Sequence, residues 1–107
     1  MSQFDDRKNA AEHKHSRDKE LEFKATARRN KLLGVWAAGL MGMEGEAIDA
    51  YAMQVVESDF EEAGEEDVYR KISGDFETAD VEQSENQIRK QMADLMGTAL
   101  EQVRSEV

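Results

Sequence analysis

The 107-residue sequence contains no proline and no cysteine. Proline is the strongest breaker of a helix interior, at about 3 kcal/mol, so its absence permits long helices anywhere in the chain. The absence of cysteine excludes disulfides and thiolate chemistry, and it favours a reducing compartment. Good helix formers such as Ala, Glu, Met, Lys and Leu are abundant, whereas β-branched residues are few. The composition therefore predicts an all-α fold.

The sequence is also poor in apolar residues and has no long apolar run. Its hydrophobic fraction is 39%, below the usual range of about 45–50%, which predicts one modest core in a single domain. The longest nearly uncharged stretch, residues 32–43, is too short to span a bilayer. The first six residues lack the basic and apolar regions of a signal peptide. We expect a cytoplasmic protein that does not insert into the membrane directly.

Positive charge is scarce outside the N-terminal part of the chain. Residues 1–31 hold nine Lys or Arg and six Asp or Glu, whereas residues 32–107 hold five and eighteen. The acidic part would repel nucleic acid, whose binding requires clustered Lys and Arg. The basic part interleaves its cations with acids and has few aromatic residues. We therefore expect no nucleic-acid partner.

From Glu20 onwards, apolar residues recur at helical spacing in four segments. The predicted inward face of the first segment is Leu21, Ala25, Arg28, Leu32 and Val35 or Trp36. Gly42 and Gly45 predict the end of this helix. The second segment is predicted to end at Gly64, and its stripe is Ile48, Tyr51, Ala52, Val55, Val56 and Phe60.

The third and fourth segments have their own boundary signals. Asp67 is the candidate N-cap of a short third helix, which Gly74 is predicted to interrupt, and its inward face is Val68, Ile72 and Phe76. Ser84 and Gln87 match the capping-box pattern at the start of the fourth helix. The stripe of that helix is Ile88, Met92, Leu95, Ala99 and Val103, widened by Met96 and Leu100. Four such segments joined by short turns predict an up-and-down four-helix bundle over residues 19–107.

Residues 1–18 differ from the rest in having one large apolar side chain after Met1, that of Phe4. Charged and small polar residues dominate this stretch, so a helix formed here would have no face to bury. We expect residues 1–18 to be a polar, partly helical or disordered N-terminal segment that precedes the bundle.

Residues suited to catalysis or metal binding are few. His13 and His15 are the two histidines, and on a helix their spacing places them on different sides, unlike a chelating i,i+4 pair. The bundle segments contain no histidine for the Glu-x-x-His pairs of carboxylate-bridged metal sites. The acidic run at residues 59–67 lacks the calcium-loop pattern, and no glycine-rich phosphate loop is present. We therefore expect no enzymatic activity, no metal and no cofactor.

Arg28 and Arg29 are candidates for a docking contact. Arg28 falls on the predicted apolar stripe, where a charge needs a partner. In one interpretation these arginines pair with acids of the second or third helix; in the other they contact an acidic partner. Trp36 and most of the six methionines are predicted to be core residues, with a Met-rich adaptable groove as the alternative.

The stretch at residues 24–38 resembles the motif of a known family. Its sequence is Lys-Ala-Thr-Ala-Arg-Arg-Asn-Lys-Leu-Leu-Gly-Val-Trp-Ala-Ala, and further matches lie at residues 4–7, 51–52, 59–72 and 87–90. Together the matches cover nearly the whole chain, and the longest is specific. The sequence thus resembles the zeta-subunit family, the small inhibitors of the F-type ATP synthase in alphaproteobacteria.

The resemblance implies a four-helix bundle preceded by an inhibitory segment, which enters a catalytic interface of the F1 sector beside the rotor and blocks ATP hydrolysis. The residues that match the family's opening motif, and would contact F1, are Phe4, Asp5, Asp6 and Arg7. Lys14 and His15 belong to the same segment, but relatives usually have Phe after this lysine, so one apolar anchor is missing. A partner of this kind would hold the cytoplasmic protein at the periphery of the inner membrane.

Two other function classes stay open at this point. A nucleotide-binding bundle would hold adenine near Trp36, which includes weak nucleotide binding, and nucleotide-induced shifts confined to the bundle would favour it. An adaptor would use the bundle as its working surface, and it would lose its partner on bundle substitution while residues 1–18 were dispensable.

Overall fold

Four α-helices follow one another in the computed structural model, which describes the backbone of residues 3–59 and 65–106 and the side chains within these ranges from residue 19 onwards. The helices are α1 (Gln3–Leu40), α2 (Glu46–Ser58), α3 (Glu66–Thr78) and α4 (Glu85–Ser105). The predicted all-α four-helix bundle is confirmed. The polar N-terminal segment precedes it without a break, because residues 3–18 are helical and belong to α1.

Helix α1 is the central element of the bundle and packs most extensively against α2 and α4. Its buried residues are Ala25, Arg29, Asn30, Leu33, Gly34, Ala37 and Ala38. The predicted inward face was partly right: Ala25 is buried, and Leu21, Leu32 and Trp36 are half-buried against the core, whereas Val35 is 40% exposed. Arg28 is half-buried, and most of the buried positions lie about one residue further along the helix than predicted. Four of the seven buried residues are Ala or Gly, which lets the neighbouring helices approach closely.

Gly34 shows how close that approach is. A Cβ atom added to Gly34 would lie 2.6 Å from the Cα atom of Ala52 in α2, a distance that real Cβ atoms do not adopt. The backbones of α1 and α2 thus touch at this point, which requires a residue without a side chain at position 34.

The end of α1 lies where the glycines predicted it. The amide of Met43 donates to the carbonyl oxygen of Ala38 at 2.9 Å, and that of Gly42 donates to Gly39 at 3.1 Å. Gly42 has a φ of +80°, so the three features together form a Schellman motif. This local stop reverses the chain and lets α2 return along α1.

The second predicted segment ends earlier in the structure than its pattern indicated. Helix α2 ends at Ser58, and two residues of the prediction, Phe60 and Gly64, lie outside the described residues. Tyr51, Ala52 and Val55 are buried as predicted.

Two predictions about α3 are wrong. The N-cap is Glu65 rather than Asp67, and Asp67 is instead a buried residue of the first turn that pairs with Arg70. Gly74 does not interrupt the helix, which continues to Thr78. Burial of Val68, Ile72 and Phe76 outweighs the cost of one glycine, about 1 kcal/mol.

Helix α4 begins as its sequence predicted. The Gln87 amide donates to the Ser84 hydroxyl oxygen at 3.1 Å, and the Ser84 amide donates to the Gln87 side-chain oxygen at 2.8 Å, which completes the capping box. The predicted stripe is buried at Ile88, Met92, Ala99 and Val103, and Leu95 is half-buried against the core.

The core consists of two clusters along α1. The larger cluster is centred on Leu33, Ile72, Phe76, Ile88 and Met92. The smaller one joins Ala25 to Ala99 and Val103, so the end of α4 lies beside the middle of α1 and the two helices are antiparallel. In the described part of the chain, no helix has both the length and the apolar character needed to cross a bilayer.

Candidate functional site

The N-terminal segment contains six of the residues predicted to act on a partner. Phe4, Asp5, Asp6, Arg7, Lys14 and His15 lie on helical backbone within α1, while their side chains lie outside what the structure describes. The backbone places them all on one uninterrupted helix with the bundle residues that follow. Because the bundle holds α1 in helical form, the segment extends an existing helix and avoids the costly nucleation step.

Arg28 lies at the surface between α1 and α4. Its guanidinium donates to the Gln102 side-chain oxygen at 2.9 Å and to a Glu106 carboxylate oxygen at 2.6 Å. The prediction that acids of the second or third helix would pair with Arg28 was therefore wrong, because the antiparallel packing brings the end of α4 to this position. The arginine remains partly exposed, so its outer edge is accessible.

Arg29 is buried, in contrast to its neighbour. Its side chain is 4% exposed, and it donates to the Asn30 side-chain oxygen at 2.7 Å and to a Glu65 carboxylate oxygen at 3.2 Å. Glu65 is the residue before α3, so this pair ties α1 to the start of α3. A charge desolvated to this extent needs such partners, and the arrangement gives Arg29 a structural role in the bundle.

A surface groove opens beside Arg28, where α1, α2 and α4 meet. We call it the basic-apolar groove; it has a volume of about 370 Å³ and is lined by Phe23, Lys24, Ala27, Arg28, Lys31, Met53, Val56, Val103 and Glu106. Phe23 is 70% exposed and Met53 is 52% exposed. Lys24 forms a long ion pair with Glu20, at 3.6 Å. The groove therefore combines two large exposed apolar side chains with three cations.

A second cavity, of about 480 Å³, lies at the opposite end of α2. Its lining is mainly apolar and includes Met41, Met43 and Tyr51, with Asp75 as its acidic member. The Tyr51 hydroxyl donates to Asp75 at 2.7 Å, and the Lys71 ammonium donates to the same carboxylate at 3.0 Å. Burial, together with the hydrogen bond to Asp75 and the charge of that carboxylate, raises the pKa of Tyr51 well above its usual value. Tyr51 is therefore a neutral donor that joins α2 to α3.

Charged side chains elsewhere on the surface pair with other residues of the bundle. Arg89 in α4 pairs with Glu66 at 3.1 Å and with Glu85 at 2.9 Å, and its guanidinium lies 4.2 Å from the centroid of the Tyr69 ring. The hydrogen bond from Arg89 holds the pKa of Glu66 below its usual value. Among the residues that the structure describes, no group of three or more His, Cys, Asp or Glu is placed to hold a metal ion.

The chain matches the model of a known protein family. A family model for the ATPase inhibitor subunit zeta matches residues 1–102. The chain belongs to the ATPase inhibitor subunit zeta family. The resemblance found in residues 24–38 and the shorter motifs is thus confirmed, and zeta-family membership supports a role as an ATPase inhibitor.

A similar fold is found in a solved structure. A protein studied by solution NMR is 45% identical to this chain, with a TM-score of 0.72; the match covers 81% of this chain and 99% of that one. No curated protein matches the chain.

The basic-apolar groove is the part of this zeta-family protein that sequence analysis missed. Phe23 and Met53 lie in different helices, and neither falls on a predicted stripe. Phe23 could have been noticed in the sequence, because it is an aromatic residue outside the predicted apolar stripe of its helix. The proximity of Met53 depends on the α1–α2 packing and has no local signal.

Proposed function

We propose that this protein inhibits ATP hydrolysis by the F1 sector of an F-type ATP synthase, and that it does so by inserting residues 1–18 at a catalytic interface near the rotor. It acts as a regulatory partner and performs no chemistry itself. The observation that supports the proposal most directly is the continuous backbone of α1, from Gln3 to Leu40, in a chain matched along residues 1–102 by the zeta-family model.

The composition of the N-terminal segment agrees with this mechanism. A helix with one large apolar side chain and many charges gains little from packing on its own bundle, so it is free to bind elsewhere. Residues 19–107 then serve as the folded domain that carries it. The contacts we propose with F1 are Phe4, Asp5, Asp6 and Arg7, with Lys14 and His15 further along the segment.

The chain's charge distribution supports the same division. The N-terminal 31 residues carry more basic than acidic groups, while the rest is strongly acidic. Residues 1–18 hold four Lys or Arg and four Asp or Glu, so the segment itself is neutral and approaches charged protein surfaces without the repulsion that the acidic bundle meets. In the cell, we place the protein in the cytoplasm, at the periphery of the inner membrane when it is bound to the synthase.

The direct test is a titration of purified F1-ATPase with the full chain while ATP hydrolysis is measured. We expect inhibition that saturates at a fixed ratio of protein to F1. A version with residues 4–7 replaced by alanine should inhibit weakly. Unchanged hydrolysis at saturating wild-type protein would exclude the proposed function. Retained inhibition after replacement of residues 4–7 would instead show that inhibition does not depend on the opening motif, and it would favour the bundle as the inhibitory surface.

A further inference from the structure

The basic-apolar groove brings two exposed large apolar side chains together. Phe23 and Met53 together are the two most exposed large apolar side chains among the described residues, and both line this one groove. Clustered exposed apolar residues with a polar rim are typical of protein-interaction sites. Aromatic side chains at such sites commonly supply much of the binding energy.

The rim of the groove has the opposite charge from the rest of the bundle. Lys24, Arg28 and Lys31 line it, with Glu106 as the acid among the lining residues. Lys31 has no ion-pair partner among the residues that the structure describes. Residues 32–107 as a whole carry eighteen acids and five bases. A basic rim on an acidic protein favours an acidic partner surface, because complementary charge steers association and penalises other partners.

The position of the groove along α1 connects it to the N-terminal segment. Phe23 lies five residues after residue 18, a rise of about 7–8 Å along a helix. Lys24, Ala27 and Lys31 follow on the same helix. Any partner that receives residues 1–18 therefore brings its own surface next to the groove.

We infer that the basic-apolar groove is a second docking surface of this protein, and that it binds an acidic segment of F1 bearing an exposed apolar side chain. The apolar side chain would pack between Phe23 and Met53, and its acidic neighbours would pair with Lys31 and the outer edge of Arg28. The inference rests on the proposed function, because F1 is the partner that the N-terminal segment is proposed to bind.

A second copy of this chain is the less suitable occupant. A symmetric dimer through this surface would place one groove against the other, which brings like charges together. Each copy also carries a formal net charge of −10, so association between copies is opposed at long range.

The test compares binding with inhibition for full-length variants. Phe23→Ser should raise the Kd for purified F1 about tenfold or more, the loss expected when a buried aromatic contact is removed. Lys31→Glu should raise the Kd by a smaller factor and should flatten the dependence of log Kd on salt. Both should reach the same maximal inhibition at saturation as the wild type, because residues 1–18 are unchanged.

Matched controls use residues outside the groove. Val35→Ser removes an apolar side chain that is exposed on the same helix, and Lys90→Glu reverses an exposed charge on α4. Neither residue lines the groove, so both variants should keep the wild-type Kd. Equal losses in the controls would show that the effect is a general one of charge or solubility, and the inference would be overturned.

A photo-crosslinker at position 23 identifies the occupant. With p-benzoylphenylalanine in place of Phe23, irradiation of the complex with F1 should yield crosslinks to an F1 peptide richer in Asp and Glu than in Lys and Arg. Crosslinks to a second copy or to the chain's own acidic run at residues 59–67 would overturn the inference, as would wild-type Kd values for Phe23→Ser and Lys31→Glu.

The two proposals fail in different ways. If the groove variants bind like the wild type while the wild type inhibits, the groove has no docking role and the inhibitory function stands. If the wild type binds F1 through the groove without inhibiting it, docking stands and the inhibitory function is excluded. Absence of any binding to F1 overturns the docking inference outright.

Discussion

At the scale of single residues, the contact between Gly34 and Ala52 decides how closely α1 and α2 approach. Because the atom nearest to a Cβ at Gly34 is a backbone Cα, at 2.6 Å, a side-chain rotation cannot relieve the clash. The two helices would have to separate, which would loosen the contacts of Leu33 and Val55 in the same core.

Gly34→Ala should therefore destabilise the protein by about 1–3 kcal/mol, despite the higher helix propensity of alanine. Gly97→Ala is the matched control, since it lies in α4 with open space around its Cβ position. It should stabilise by about 0.5–1 kcal/mol. Urea unfolding of both variants measures the difference. A neutral Gly34→Ala would show that α1 and α2 are not in backbone contact in solution.

Single residues of the N-terminal segment should control potency. Phe4 is the one aromatic side chain in residues 1–18 and the one large apolar residue after Met1. Phe4→Ala should therefore weaken inhibition of F1 by about 1–3 kcal/mol if its ring fills a pocket. Lys8→Ala, a charge removal in the same segment, should have a smaller effect. Restoring the missing anchor with His15→Phe should tighten inhibition. Inhibition constants from ATP hydrolysis check all three, and equal effects of Phe4→Ala and Lys8→Ala would contradict the anchor role.

At the scale of the element, α4 combines the strongest local start signal with a continuous buried stripe. The capping box supplies partners for two backbone amides at the helix start. Met92 at 1% exposure lies in the larger core cluster, beside Ile88. The two features stabilise the helix independently, one through the backbone and the other through packing.

Met92→Ala should therefore cost about 2–5 kcal/mol of unfolding free energy, and Ser84→Ala about 0.5–2 kcal/mol. Ser105→Ala serves as a control at the other end of the helix, where the hydroxyl donates only to the Gln102 carbonyl oxygen at the surface. Chemical denaturation of the three variants measures how much unfolding free energy each one loses. A loss for Ser84→Ala no larger than for Ser105→Ala would mean that the cap does not contribute in solution.

The two halves of helix α1 differ in their contacts with the bundle. Its second half lies between α2 and α4 and buries small residues, while residues 3–18 extend beyond the described core contacts, the first of which is at Leu21. Helical periodicity predicted this helix and part of its inward face, but it missed Gly34, Ala37 and Ala38. These small residues lack the apolar size that marks a stripe in the sequence, and their burial depends on the close packing of neighbouring helices.

At the scale of the whole molecule, the N-terminal segment and the bundle should be thermodynamically separable. Charged and small polar residues dominate residues 1–18, so deleting them should remove little apolar burial. The melting temperature should then shift by only a few degrees, given that about 1 kcal/mol moves a domain of this size by roughly 4–8 °C. Calorimetry or circular dichroism of the shortened chain measures the shift. Collapse of the bundle would show that the segment is part of the core and that the division at residue 18 is misplaced.

The features that the sequence alone determined are those whose causes lie within a few residues. The Schellman stop at Gly42, the capping box at Ser84 and the periodic stripe of α4 each depend on neighbours along one helix. The family motif in residues 24–38 is likewise legible without a fold. These local signals were sufficient for the class of fold, for the end of α1, for the start of α4 and for the family.

Tertiary structure decided what depends on residues distant in the chain. Arg28 pairs with Glu106, Arg29 with Glu65, and Phe23 shares a groove with Met53. None of these pairs has a fixed sequence spacing, because each results from the angle and depth at which two helices pack. The close contact at Gly34 sets that depth for α1 and α2. Side-chain partners and surface grooves follow from helix packing, and for this reason they became known only with the fold.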